Sequence, residues 1–421
     1  MAKATTKTAS KSTAGSTPKT LIIAEKPSVA SDIAKALGGF TKFDDYFEND
    51  QYVVSSAVGH LLEIAAPEEY DVKRGKWSFA NLPVVPPHFD LRPIVKTESR
   101  LKVLQKLIKR KDIAELVNAC DAGREGELIF RLIAQHAKAS QPIKRLWLQS
   151  MTPNAIREGF SALRSDTDMQ PLADAARCRS EADWLVGING TRAMTAFNSK
   201  SGGFFLTTVG RVQTPTLSIV VEREELIRKF ISKDYWEVKA DFLASAGVYE
   251  GRCFDPKFKK DAAEPDLREN RLWSEAAANS IVAACRNKKA TVREEAKPAT
   301  QLAPQLFDLT SLQREANARF GFSAKNTLGL AQALYERHKV LTYPRTDSRA
   351  LPEDYLETVK QTVENLAASS NEYRPHANAI LKGDGKDGAA KTKGYGWIKP
   401  NKRIFDNSKI SDHFAIIPTL E

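Results

Sequence analysis

Tyr343 stands in the run Tyr343-Pro344-Arg345-Thr346-Asp347-Ser348, with an arginine two residues after it. A phenol is a poor nucleophile at its ordinary pKa of about 10, so it needs cationic neighbours that favour the phenolate and neutralise a phosphate. Arg345 can supply both. Taken alone, the run reads better as a half-buried tyrosine anchoring a proline-rich turn. A second constellation is acidic: Glu25-Lys26, and D-A-G-R-E-G-E from Asp121 to Glu127. Mg²⁺ takes a few carboxylates, water and a phosphate oxygen, and Asp121 and Glu125, four apart, share a face if a helix begins there. The plain alternatives are a solvated strand end at Glu25 and a helix start decorated with acids that suit its dipole. The third is His413 in S-D-H-F-A-I-I-P-T (Ser411 to Thr419), which by itself is a hydrogen-bonded core histidine. Arg177 to Trp184 and Val209 to Thr216 carry arginines and small residues that could track a phosphodiester backbone. No G-x-x-x-x-G-K-[ST] occurs, which argues against an ATP-driven motor.

These groups need elements to hold them. Thr20 to Glu25 is a short buried strand, and Pro27-Ser28 opens a helix that stops at Gly38-Gly39. Gln51 to Ala57 reads as a strand, Thr97 as the cap of an amphipathic helix through Arg110, Glu115 to Cys120 as a strand, Arg124 to Ala137 as a helix and Ile143 to Leu148 as a strand. Strand-helix alternation predicts a parallel sheet with helices on both faces and ligands at the carboxyl ends of strands, where Glu25 and Asp121 lie. Residues 152–230 read as mostly helical, broken by the Gly- and Thr-rich passage Gly202 to Thr216. Residues 235–295 lean towards strand at Tyr235 to Phe242 and Ala290 to Ala296. A T-S-L-Q capping box at Thr310 predicts a helix ended by Gly321, and Ser323 opens a second through about His338. Residues 382–402, rich in Gly and Lys, read as an exposed basic loop.

Composition bounds the class. With 421 residues, 42% hydrophobic and 27% charged, the chain has ordinary globular content for several domains, and no apolar run approaches the roughly 18 residues of a membrane helix. The net charge of +11 calls for an anionic partner. Four of those charges, Lys3, Lys7, Lys11 and Lys19, sit in a Lys/Ala/Ser/Thr-rich start that reads as a disordered basic arm. Cys120, Cys178, Cys253 and Cys285 are scattered, with neither zinc spacing nor a disulfide framework, and suit a reducing cytosol.

Together, L-I-I-A-E-K-P-S, D-A-G-R-E-G-E-L-I, L-T-Y-P-R-T-D-S and H-F-A-I-I-P-T, in that order from about Thr20 to the last residue, resemble the type IA DNA topoisomerases of the bacterial topoisomerase III kind. The resemblance implies a multidomain α/β chain. Its parts are a basic tail (1–19), a Toprim domain with a Rossmann-like parallel sheet (20–152), the first part of a helical strand-holding domain (153–230), the first limb of a β-rich arch (231–297) and a helix-turn-helix domain carrying the tyrosine (298–421). It further implies ATP-independent, Mg²⁺-dependent cleavage of single-stranded DNA, with Tyr343 left carrying the 5′ phosphate. Arg345 and Lys26 would attend the scissile phosphate, His413 a phosphate or the leaving 3′ oxygen, and Glu25 the metal or a proton. The implied metal ligands are Glu25, Asp121 and Glu125. The implied DNA contacts are His60, Arg179, Asp183, Thr208, Val209, Gly210, Arg211, Val212, Gln213 and Arg345. Single-stranded, negatively supercoiled or catenated DNA would be the partner, in the nucleoid-containing cytoplasm and away from any membrane.

Two departures stand out. Many relatives carry D-x-D, whereas Gly123 replaces the second Asp here, so that Glu125 or Glu127 would have to substitute. Family members also run on past the histidine motif, so the chain ending at Glu421 is expected to be a fragment with impaired strand passage. A non-enzymatic single-stranded-DNA-binding remnant is the rival reading. A Toprim nuclease or primase leaves the tyrosine motif unexplained.

Overall fold

The computed structural model describes residues 17–69, 77–264, 266–369, 372–383 and 396–420. The expected basic tail lies almost wholly outside them, as do residues 384–395 of the basic loop. The chain divides into two compact units, Met1–Arg211 with Ala303–Glu421, and Val212–Leu302.

In the first unit, β1 (Lys19–Ala24) is followed by α1 (Pro27–Leu37), which Pro27 starts and Gly38, at φ 75°, stops. A hairpin of β2 (Thr41–Lys42) and β3 (Tyr46–Glu48) leads to β4 (Tyr52–Ser56), then to the separate pair β5 (Leu62–Ile64) and β6 (Leu91–Pro93). After α2 (Glu98–Ile108) come β7 (Ile113–Ala119), α3 (Arg124–Ala137), β8 (Ile143–Arg145), α4 (Pro153–Ser161) and β9 (Arg164–Ser165). The sheet order is β2-β3-β4-β1-β7-β8-β9. The inner strands β4, β1, β7 and β8 are parallel as predicted, while both edges are antiparallel, which makes the sheet mixed. Leu21 and Ile23 face Leu101, Leu104, Phe130 and Ile133 on one side. Ile22 faces Ile33 and Ile156 on the other, so the central strand is apolar on both faces.

Local expectations fail where a side chain found a different partner. Thr97 precedes α2 without capping it, because its hydroxyl donates to the Ile94 carbonyl instead. The predicted strand Ile143 to Leu148 stops at Arg145.

Beyond the sheet, α5 (Asp166–Asn198) is a 33-residue helix capped by the Ser165 hydroxyl. The second unit holds α6 (Gln213–Arg228), the antiparallel hairpin β10 (Lys239–Ala244) and β11 (Gly247–Arg252), and α7 (Glu275–Cys285). Of the two predicted β-leaning patches, Ala290 to Ala296 forms no strand and is exposed.

Back in the first unit, α8 (Leu309–Phe320) is capped two residues before the expected Thr310. Asp308 and Ser311 form the reciprocal box, since Asp308 accepts from the Ser311 amide and also pairs with Arg349 at 3.0 Å. Gly321, at φ 67°, ends the helix in the left-handed region, and Ser323 caps α9 (Ala324–Glu336) as read. α10 (Leu356–Ala368) and α11 (Arg374–Lys382) follow.

Candidate active site

The strand ends carry the first half of the site. β1 delivers Glu25 and Lys26, and its parallel neighbour β7 delivers Asp121, so residues 95 apart in sequence meet: Lys26 Nζ donates to Asp121 Oδ2 at 2.6 Å and lies 3.8 Å from Glu25. The turn carrying Asp121 is fixed from beneath. The Arg145 guanidinium, about 1% exposed, donates to the carbonyls of Cys120 (2.7 Å) and Asp121 (2.6 Å) and pairs with the equally buried Glu127. Arg131 (2.8 Å) and Asn118 (3.0 Å) also donate to Glu127. The Glu127 carboxylate is thus buried and engaged by Arg145, Arg131 and Asn118. Sequence reading missed Arg145 because a lone arginine in a short strand carries no pattern. Gly126 is required because a Cβ there would meet the Asp121 carbonyl oxygen at 2.2 Å.

The second half comes from the segment after α9. Residues 340–350 run against 411–419 with few regular bridges, held by hydroxyl side chains. Thr342 Oγ1 donates to the Ala415 carbonyl and accepts from the Ile417 amide. Thr346 Oγ1 donates to the His413 carbonyl at 2.9 Å and accepts from the Ser348 amide, and Ser348 Oγ donates to the Lys409 carbonyl. Leu351, Tyr355, Phe405 and Ala415 form the small core beneath. The threonines flanking Tyr343 are thus its supports, a role that spacing alone did not reveal.

The two halves meet at Tyr343. Its ring centroid lies 4.2 Å from that of His413, 4.5 Å from Lys26 Nζ and 5.3 Å from the Tyr335 ring. His413 Nε2 is 3.4 Å from Asp121 Oδ2, so one carboxylate oxygen holds both the lysine and the histidine that bracket the phenol.

Electrostatics follow from the burial and the pairing. Burial opposes ionisation of Asp121, but His413 and Lys26 outweigh it and hold the carboxyl at about 2. Lys26 is buried too, yet Asp121, Glu25 and Tyr343 raise it, so its charge is secure. Glu25 is raised by burial and by the Asp121 charge, which makes it the carboxyl of this group that most readily keeps a proton.

The remaining candidates separate. Arg345 is exposed on the tyrosine loop. Glu125, 63% exposed, points to His60 at 3.4 Å. His60 also lines a cavity of about 410 Å³ with Phe89, Arg177, Ser180 and Trp184, between β5, β6, α3 and α5. Asp183 is engaged by Arg211 through two hydrogen bonds of 2.7 and 3.0 Å, and Arg179 is half-exposed one turn before it. Val209 is pinned to α5 by the Thr191 hydroxyl, and Thr208, Gly210 and Arg211 follow the same stretch. Val212 and Gln213 open the second unit.

For Mg²⁺, among the described residues no three His, Cys, Asp or Glu groups are spaced to hold a metal by themselves. The donor set still fits an ion that keeps its waters and takes one or two carboxylates plus a phosphate. Asp121 and Glu25 are hard oxygen donors coupled through space. At Gly123 the space for a side chain is taken by the carboxylate of Asp412: a Cβ would meet its Oδ1 at 2.6 Å and its Oδ2 at 2.7 Å.

A model described as DNA topoisomerase matches residues 167–421, and a Toprim domain model matches residues 20–151. The chain is 41% identical over 404 residues to DNA topoisomerase 3 of Bacillus cereus and 40% identical over 405 residues to that of Bacillus subtilis, covering 95% and 96% of this chain. It spans about half the length of these curated relatives, 51% of each. Full-length topoisomerase I of Thermotoga maritima shares the fold, with TM-score 0.51 and 23% identity over 82% of this chain and 52% of that one.

Proposed function

The chain belongs to the DNA topoisomerase family, and from that premise we propose that Tyr343 cleaves single-stranded DNA by transesterification and reseals it without ATP. The Tyr343 oxygen attacks phosphorus, the P–O3′ bond breaks with its electron pair passing to O3′, the phenolic proton departs and O3′ takes one up. The energy of the broken ester is kept in the 5′-phosphotyrosine link, and the reverse attack by O3′ restores the strand. The observation that carries this reading is the phenol ring bracketed by Lys26 at 4.5 Å and His413 at 4.2 Å, both held by Asp121.

Lys26 supplies a fixed positive charge where charge develops on the phosphate, and Arg345, exposed beside Tyr343, is placed to add a second. Glu25, whose burial favours its protonated form, is suited to hand a proton to the leaving O3′. A bound Mg²⁺ would add charge neutralisation at the phosphate, held by Asp121 and Glu25. The single strand would run along α5 and the Thr208–Arg211 stretch. The wider activity, strand passage in negatively supercoiled or catenated DNA in the bacterial cytoplasm, is proposed on the strength of the family.

The test uses an oligonucleotide labelled at either end. A covalent adduct carrying the label on the 5′-phosphate side of the break, absent in Tyr343→Phe, is expected. An adduct on the 3′ side, or one that survives Tyr343→Phe, refutes the assignment. Strand binding with no adduct leaves the non-enzymatic DNA-binding reading in its place.

A further inference from the structure

We infer that Tyr335, on α9, is a positioning residue for the Tyr343 phenol: its ring, capped by Lys339, forms the wall that keeps Tyr343 seated against Lys26 and His413. The inference rests on the transesterification reading above and adds a residue that its motifs do not contain.

The geometry of α9 sets this ring. Thr327 and Ala331 are the buried residues of the helix, and Tyr335 is the next position on the same face. After Glu336 the helix closes, with the amides of Arg337 and His338 donating to the Ala333 carbonyl and that of Val340 to the Leu334 carbonyl. The chain reverses at Lys339, whose φ of 59° lies in the left-handed region that a side chain disfavours. Glycine would adopt this turn more readily, so lysine here is explained by its side chain and not by its backbone. Its Nζ lies 5.6 Å from the centroid of the Tyr335 ring. The turn is pinned to the histidine segment by Thr419, whose hydroxyl donates to the Lys339 carbonyl at 2.5 Å and whose amide donates to the Val340 carbonyl at 3.1 Å.

Tyr343 thus returns against Tyr335, with ring centroids 5.3 Å apart and planes at 77°, the edge-to-face arrangement that aromatic pairs favour. A cation above a ring leaves the ring free to slide beneath it, and a third neighbour meeting the ring at its edge removes that freedom. Displacing a reacting group by about 1 Å costs on the order of 100-fold in rate, so the wall bears on the chemistry. Burial raises the Tyr335 phenol above the ordinary value of 10 despite the opposing charge of Lys26, so this second tyrosine stays protonated and does not compete as a nucleophile.

The experiment compares Tyr335→Leu, Tyr335→Phe, Lys339→Gly and Lys339→Arg with the parent chain. In Tyr335→Leu, single-turnover adduct formation should fall about 10-fold or more while oligonucleotide affinity, measured by anisotropy, stays within about 2-fold. Tyr335→Phe keeps the ring and should restore cleavage to within about 3-fold of the parent. Lys339→Gly relaxes the turn and should melt no lower than the parent, yet cleave about 3-fold or more slowly, with Lys339→Arg restoring the rate. A second measurement needs no DNA: with tyrosine labelled by ¹³C at Cζ, the Tyr343 resonance, assigned by its loss in Tyr343→Phe, should be one narrow line in the parent and in Tyr335→Phe and broadened or split in Tyr335→Leu. Parental cleavage by Tyr335→Leu or Lys339→Gly, a phenylalanine variant as slow as the leucine one, a loss confined to binding, or a single narrow Tyr343 line in Tyr335→Leu overturns the inference. The resonance decides the matter even if the parent chain forms no adduct, an outcome that would defeat only the cleavage reading.

Discussion

Lys26 and Asp121 meet at 2.6 Å across the carboxyl ends of two adjacent parallel strands, and the same Asp121 oxygen holds His413 at 3.4 Å. A single carboxylate thereby holds a lysine and a histidine against the Tyr343 ring before any substrate arrives. Preorganised charge costs no rearrangement when the phosphate becomes more negative, which is where such groups act most strongly.

Lys26→Met should therefore reduce covalent adduct formation by about 100-fold while changing oligonucleotide affinity far less, since the charge acts at the scissile phosphate and the strand has other contacts. Single-turnover cleavage on denaturing gels, with binding measured by anisotropy, separates the two. A loss confined to binding would remove Lys26 from the chemistry.

The Glu127–Arg145 pair predicts a stability effect. Both side chains are about 1% exposed, and Arg145 also satisfies the carbonyls of Cys120 and Asp121. Arg145→Met leaves Glu127 partly unpaired and those carbonyls without their donor, at a cost of about 3–5 kcal/mol. Urea unfolding measures it. A change below about 1 kcal/mol would mean that the pair is replaceable and that the acidic turn is held by other means.

The sheet was legible because its central strand is apolar on both faces and α1 opens on Pro27 and closes on Gly38, as α8 closes on Gly321, signals that act within a few residues. The tyrosine, lysine and histidine stood out by type and motif. Other features depend on contacts across 24 or more residues and leave no local trace: Thr346 beneath His413, Arg145 under Asp121, and Asp412 in the space left by Gly123. The missed cap at Asp308 differs, because its box with Ser311 is local and only its bond to Arg349, 41 residues away, is not.

Thr346 lends itself to a test of positioning. Its buried hydroxyl donates to the His413 carbonyl and accepts from the Ser348 amide, so Thr346→Val leaves two backbone groups unsatisfied, costing about 1–3 kcal/mol. Turnover should fall with KM for the oligonucleotide nearly unchanged, and Thr346→Ser should restore it. Failure of the serine to rescue would show that the methyl packing matters and the hydrogen bonds do not.

Glu48 gives a pH dependence. Hydrogen bonds from Arg110 and Lys19 hold its carboxyl below the ordinary value of 4.5, against a smaller opposing effect of burial. A depressed folded pKa means that the stabilisation is fully present above about pH 4.5 and is lost as pH falls through the folded value. Glu48→Gln should therefore lower stability at pH 7 by about 1 kcal/mol, with the difference from the parent chain closing towards pH 3. A constant difference between pH 7 and pH 3 would assign the effect to packing.

Asp183 and Arg211 yield the least intuitive outcome. Both were read from sequence as strand contacts, but the structure pairs them through two hydrogen bonds, which spends the arginine's charge on a neighbour. Any phosphate that engages Arg211 must first compete with the Asp183 carboxylate. Asp183→Asn removes that competitor with little change in shape and releases a cation to the strand. Single-stranded DNA should then bind more tightly at low salt, and the slope of log affinity against log salt should steepen by about 0.7, the share of one additional neutralised phosphate. The pair is exposed, so the fold should be unaffected and the parent and variant should melt together. Weaker binding by Asp183→Asn at every salt concentration would mean that the carboxylate itself receives the strand, through base or sugar donors, and that Arg211 serves to orient it.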